Sequence, residues 1–210
     1  MKKIDERDTM FARMNYKVGS KQYEDYYSRN EAKKAIDDVI RQKPNICGPG
    51  SATYNVVNSP IADANFLFLN DIRKLSEGPI NQNKVEVTKE QMTKKLKALA
   101  LHYGAVLCGI TLLKKYHYYS FRGRHDEVYG EEIDANKHKY GIVFAVEMDK
   151  AMINRAPQIS EVIETSKGYV DAAIIGMQLS YYIRLLGYDA RNHMDSNYLL
   201  VAPLVARDAG

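Results

Sequence analysis

Apolar residues along the 210-residue chain fall into distinct patterns, and each predicts a different element. From Ser59 onward, Ile61, Ala64, Phe68, Ile72 and Leu75 recur at helical spacing, behind a Ser-Pro start and ahead of a Gly78-Pro79 stop. Thr88 with Gln91 has the form of a capping box and opens a second helix, whose stripe is Met92, Leu96, Leu99 and Tyr103 and whose end is Gly104. Residues 105–113 and 140–148 are continuous apolar runs of strand length, and the first predicts a central strand. The longest helical pattern covers 157–186, with Gly187 as its natural stop. Short apolar pieces at 188–191 and 198–201 offer further strands.

Residues 1–58 read differently. They are polar, rich in tyrosine and punctuated by Gly19, Pro44, Gly48, Pro49 and Gly50, which predicts an irregular arm with one helix near 22–41. The order of elements then predicts an α+β sandwich over 59–210, a small sheet with flanking helices, with residues 1–58 as an appended N-terminal arm. Between the two strand runs lies a polar loop, 114–139, holding Tyr116, Tyr118, Tyr119 and three of the five histidines. A loop this long in a compact domain is more often functional or mobile than filler.

Composition narrows the function classes. The net charge of +4 is spread among mixed acids and bases, with no unmixed Lys/Arg run, which argues against nucleic acid as the partner. Cys47 and Cys108, the two cysteines, stand far apart. They provide neither a disulfide framework nor the thiolates of a structural zinc site or a four-cysteine cluster. The opening has no apolar export core and no twin arginine, and no stretch approaches membrane-spanning length, so a cytoplasmic protein without a membrane partner is expected. Tyrosine is over-represented, at 16 against 5 Phe and no Trp. Each tyrosine brings a large apolar face and a hydroxyl able to bond or release a proton.

Most candidate motifs fail on their spacing. The five histidines lack the i, i+4 pairing of a zinc helix, and Gly48-Pro49-Gly50 lacks the glycine spacing of a phosphate loop. Asp134, His138 and Gly141 approach a cobalamin-binding histidine motif, but one residue too many separates Asp134 from His138, so cobalt ligation by His138 is not expected. The long helix carries Gly168, Ala172, Ala173 and Gly176, a stripe of small residues at i, i+4, i+5 and i+8, with Tyr169 at its edge. The pattern alone favours close packing against another element over a face for a flat ligand.

Several segments together resemble the reductive dehalogenases. The opening RDTMFARMNYKVGSKQYEDYYSRN, then IDDVIRQKP and NSPIADANF, are similar to the N-terminal region of that family. LALHYGAVLCGITLL is similar to its first corrin-domain strand with the preceding helix. GIVFAVEMD, followed by APQISEVIETSKGYVDAAIIGMQLSYYIRLLGYDARNHMDSN and YLLVAPLVARDAG, resembles the region leading into the catalytic loop.

The resemblance implies a nitroreductase-like fold that binds cobalamin base-off, with no protein ligand on cobalt, and reductive removal of halide from a small organohalide. It makes Tyr169, in SKGYVDAA, the candidate proton donor and Asn192 a candidate pocket-lining residue. Gly168, Ala172, Ala173 and Gly176 become the candidate corrin face. The supporting Lys or Arg of the family falls beyond Ala209-Gly210, and neither Arg184 nor Arg191 matches it. Family members also carry two [4Fe–4S] clusters. Two distant cysteines cannot hold them, so the resemblance implies an iron–sulfur electron donor in a missing C-terminal segment or a partner, and no turnover by this chain alone. A non-catalytic corrinoid-binding protein and an epoxyqueuosine-reductase-like protein stand as alternatives. So does a flavin-dependent nitroreductase-like enzyme, for which no convincing phosphate-binding set is found. Should Tyr169 not serve, Tyr118, Tyr119 and Tyr198 are next in line.

Overall fold

In the computed structural model, which describes residues 1–210, the centre of the fold is a two-stranded antiparallel sheet. Strand β1 (Leu107–Leu112) pairs with β2 (Tyr140–Ala145), with Cys108 opposite Phe144 and Ile110 opposite Ile142. Those four side chains share one face of the pleat and pack on Leu96 and Ala100 of α5 (Lys89–His102) and on Ile175 and Leu179 of α7 (Ile159–Leu185). Val143, on the opposite face, packs with Leu113 against Val205 of α8 (Ala202–Ala209). Helices thus cover both faces, which explains why the strand runs are continuously apolar rather than alternating.

The expectation of a central strand is corrected here. The sheet has two strands, both of them edges, and Leu107 at its end is 69% exposed. The pieces at 188–191 and 198–201 are not strands either: only Leu200 makes an isolated bridge, to Tyr118. Helix α8 follows, begun by Pro203 in its first turn, and the sequence reading did not anticipate it.

The helix predictions hold with shifted ends. Helix α4 (Ser59–Ile72) forms, but the predicted stripe is not its buried face: Ile61, Ala64 and Phe68 are exposed and Leu75 lies beyond the helix, while Ala62 and Leu69 are buried. Ser59 is its first residue rather than its cap, and the Ser59 hydroxyl accepts from the Asn55 amide. Thr88 and Gln91 form the capping box of α5 in full, each side chain accepting the other's backbone N–H at 3.1 Å. Gly187, at φ +85°, ends α7.

Helix α4 lies along the first half of α7. Ala62 packs on Val162, Asn65 donates to the Ser166 hydroxyl at 2.9 Å, and Leu69 packs on Ala173, so the two helices run in the same direction. No helix is long and apolar enough to cross a membrane.

The N-terminal segment is more ordered than its sequence suggests. It folds into α1 (Met10–Arg13), α2 (Lys21–Arg29) and α3 (Glu31–Arg41), the last two broken at Asn30, whose φ −140° and ψ 48° are not helical. Ala12, Tyr16, Tyr23, Tyr26 and Tyr27 form its own small core. The tyrosine hydroxyls there are taken up by carboxylates: Tyr27 donates to Asp37 at 2.8 Å, Tyr23 to Asp38 at 2.8 Å, and Tyr26 to Asp8.

Candidate functional site

The long polar loop between the strands is held in place by the chain's first residues. The Ser120 amide donates to the Ile4 carbonyl at 2.8 Å, and the Gly123 amide donates to the buried Glu6 carboxylate at 2.7 Å. Gly123 is required there, because a Cβ would lie 2.5 Å from the Arg7 nitrogen. The Arg7 guanidinium covers the Phe121 ring at 4.4 Å. This pinned segment carries Arg124 toward the loop after α7, where it pairs with Asp195 at 3.7 Å.

Around that pair stand two phenols. Tyr169 projects from α7 among Leu69, Ala173 and Met194, its ring 6.3 Å from Phe66 of α4. Tyr198 comes from the loop after α7. Neither hydroxyl has a hydrogen-bond partner within the chain. Burial raises the pKa of Tyr169, and the nearby Asp195 adds to this while Arg124 opposes it. Burial likewise pushes Tyr198 up to about 12, with Tyr169 and Asp195 adding to the effect. Both phenols therefore keep their protons at neutral pH, with one fixed cation nearby.

Beside them is a cavity of about 170 Å³ lined by Phe66, Leu69, Asn70, Arg73, Asp195 and Ser196. Ser196 sits at φ +62°, a conformation uncommon for a residue with a Cβ.

The other candidates named from sequence fall into two groups. Asn192 is buried against α7: its side-chain amide donates to the Ala173 carbonyl at 3.2 Å, and its backbone amide donates to the Ser76 carbonyl at 2.9 Å. Gly176 lies directly beneath it, and a Cβ at that position would collide with the Asn192 Oδ1. Ala173 is buried with Leu69 and Met194, and a Cβ placed on Gly168 would lie 3.4 Å from the Met148 side chain. At these three positions of the stripe the neighbour is the chain itself; Ala172 is half-buried. Tyr169 lies near the Arg124–Asp195 pair, whereas Asn192, from the segment after α7, packs against the helix at Ala173 and Gly176.

His138 is engaged elsewhere, its Nε2 lying 3.1 Å from Asp189. Tyr118 is fully buried and donates to the His138 carbonyl at 3.2 Å. Arg124 and Asp195 were missed from sequence. The one available signal was the tract Arg122-Gly123-Arg124-His125 inside a loop read as functional or mobile.

No family model matches the chain, and a search of curated proteins finds no match. Solved structures do match over its whole length. One is a reductive dehalogenase whose structure suggests a mechanism for B12-dependent dehalogenation, at TM-score 0.71 and 19% identity. Another is the N-terminally tagged catabolic reductive dehalogenase NpRdhA, at TM-score 0.61 and 21% identity. NpRdhA in complex with 3-bromo-4-hydroxybenzoic acid matches at TM-score 0.61 and 20% identity.

The chain has a reductive dehalogenase fold.

It spans 27% of the first of those proteins and 29% of the others, so the shared fold is that of one stretch of a longer molecule. Both surfaces of the sheet, the α4–α7 pair and the N-terminal tyrosine core belong to the stretch that matches, since all of this chain is covered.

Proposed function

We propose that this chain is the corrinoid-side segment of a reductive-dehalogenase-like oxidoreductase, with Tyr169 as the proton donor. The observation that carries the reading is the match of the entire chain to a reductive dehalogenase described as B12-dependent, at TM-score 0.71. The phenols of Tyr169 and Tyr198 support it, because their hydroxyls bond to nothing in the chain and stand beside the Arg124–Asp195 pair.

The fit to a corrinoid is partial. Gly176 and Gly168 have Asn192 and Met148 against them, so the stripe offers no bare backbone there. The cavity beside Cys47, about 350 Å³, and the one beside Phe66, about 170 Å³, cannot enclose a ligand that large. This chain therefore supplies one wall of such a site. Further parts of a nitroreductase-like domain supply the rest, and iron–sulfur clusters held by other segments or a partner supply electrons. When bound, the corrinoid provides the reducing metal centre. Nε2 of His138 lies 3.1 Å from Asp189, and His138 is given no part in holding the corrinoid.

Replacing halogen by hydrogen consumes two electrons and one proton and releases halide. Tyr169 has the proton to give, since burial keeps its phenol neutral. The phenolate left behind needs a positive neighbour, and Arg124 is the cation within this chain that partly offsets the rise in the Tyr169 pKa. Asp195 holds Arg124 by its ion pair and limits how far the cation reaches.

The test is debromination of an activated aryl bromide by the corrinoid-loaded protein, with a low-potential chemical reductant supplying electrons. Tyr169→Phe is expected to leave corrinoid affinity unchanged and to abolish product. Full activity with phenylalanine there would remove Tyr169 from the reaction and make Tyr198 the next candidate.

A further inference from the structure

Helix α3 turns its polar side inward and its apolar side out. The residues that meet the tyrosine core are charged. Asp37 accepts from Tyr27 at 2.8 Å and Asp38 accepts from Tyr23 at 2.8 Å. Arg41 donates to the Tyr27 hydroxyl at 2.8 Å, and Lys33 pairs with Asp8. The opposite face carries Ala32, Ala35, Ile36 and Val39, at i, i+3, i+4 and i+7. All four are exposed, Ile36 by 65% and Val39 by 60%. A surface helix ordinarily buries such a stripe. Here the carboxylates keep it outward, because turning the helix over would take Asp37 from both Tyr27 and Arg13.

The charges at the two ends of the stripe select what covers it. Glu31 stands in the first turn of α3 and Lys43 just past its last residue. Both are exposed, and neither joins the ion pairs that Lys33 and Arg41 make on the inner face. A second copy of α3, laid antiparallel across a twofold axis near the middle of the helix, brings Glu31 of each copy to Lys43 of the other. Ile36 then packs beside Val39 of the second copy, and the short side chains of Ala32 and Ala35 let the helices approach closely. The two helix dipoles oppose each other in this arrangement. A parallel pairing would set Glu31 against Glu31 and Lys43 against Lys43. The antiparallel pair is isologous, so it closes at two copies.

We propose that the outward face of α3 is a homodimer interface, an antiparallel helix pair in which Ile36 and Val39 interlock and Glu31–Lys43 ion pairs set the register. None of these residues belongs to the site around Tyr169, so the inference stands apart from the proposed function. One helix pair makes a small interface, of the kind found in weak and transient association.

The experiment is sedimentation equilibrium of the full 210-residue chain over concentrations of about 1–200 μM. Dimer is expected to accumulate as concentration rises. Ile36→Glu should weaken it at least roughly tenfold, because the new carboxylate would be buried without a partner. Its unfolding curve at low concentration should match that of the parent, since Ile36 is exposed in the single chain. Glu31→Lys and Lys43→Glu should each weaken the dimer by roughly threefold or more, and the double variant should restore it. These two positions are exposed and polar, so the exchange reads the interface even if Ile36→Glu disturbs the helix. Leu67→Glu, on the exposed face of α4, should leave the dimer intact. A chain that stays monomeric throughout, or a dimer untouched by Ile36→Glu, would overturn the proposal. So would a dimer lost in Leu67→Glu, or a double exchange that fails to restore what each single change removes.

Discussion

Two regions of the molecule use the same side chain in opposite ways. In the N-terminal helices, Tyr23, Tyr26 and Tyr27 each donate to an aspartate, and Tyr129 from the central loop donates to Asp25 at 2.7 Å. Around the end of α4 and the middle of α7, Tyr169 and Tyr198 bond to nothing in the chain. Burial raises the pKa in both regions, with Tyr27 and Tyr198 each pushed up to about 12. Titration therefore does not separate them; partnership does. A phenol already committed to a carboxylate is structural, whereas an uncommitted phenol beside a cavity is available to a ligand.

The largest test of this contrast is at Asp37, which is 2% exposed, accepts from Tyr27 and lies 3.3 Å from the Arg13 guanidinium. Asp37→Ala takes the buried carboxylate from both Tyr27 and Arg13, leaving Arg13 only the longer contact to Asp8 at 3.8 Å, and is expected to cost about 3–5 kcal/mol in denaturant unfolding. A loss below 1 kcal/mol would mean that the N-terminal core is not held by its ion pairs. On the other side, Gly176→Ala drives a methyl group into Asn192 and is expected to cost about 1–3 kcal/mol. Unchanged stability there would show that Asn192 can withdraw, reopening that part of α7 to a ligand.

The paired hydroxyl deletions sharpen the comparison directly. Tyr27→Phe strands the buried Asp37 acceptor and should cost about 1–3 kcal/mol. Tyr169→Phe removes a hydroxyl with no partner and should stay within about 0.5 kcal/mol of the parent. Equal losses at the two sites would erase the distinction.

These same particulars show what could be read from the sequence. The capping box at Thr88 and Gln91, the Gly187 stop and both strand runs were legible because each depends on neighbours a few residues apart. The N-terminal core was not, because its apolar positions are tyrosines whose burial depends on carboxylates arriving from another helix: Asp37 and Asp38 from α3, for tyrosines of α2. Helix α8 was missed because its short apolar pattern gains meaning only against Val143 and Leu113. At the site, Tyr169 was named through resemblance. Arg124, Asp195 and Arg73 were not, because three separate segments of the chain, distant from Tyr169 in sequence, bring them to it.

A further test concerns pH. Burial, with Arg191 adding to it, pushes the pKa of His193 down to about 3, against roughly 6.5 for an unfolded imidazole. The unfolded chain then takes up a proton that the folded chain refuses. The contribution is fully present above about pH 6.5 and is lost progressively as pH falls toward 3. Asp25, held below its ordinary value chiefly by the bond from Arg29, gives way only below about pH 4. Mild acid should thus loosen the loop after α7 before the N-terminal core, as followed by hydrogen exchange at pH 7 and pH 5. A His193→Gln variant should flatten the dependence between those values, and an N-terminal core that opens first would contradict the order.

Corrinoid binding itself tests the proposed function. The protein is titrated with cob(II)alamin and followed by visible absorption and electron paramagnetic resonance. The account predicts saturable binding, with a cobalt signal showing no splitting from a protein nitrogen. Absence of saturable binding, or a nitrogen splitting that vanishes in His138→Ala, would contradict it.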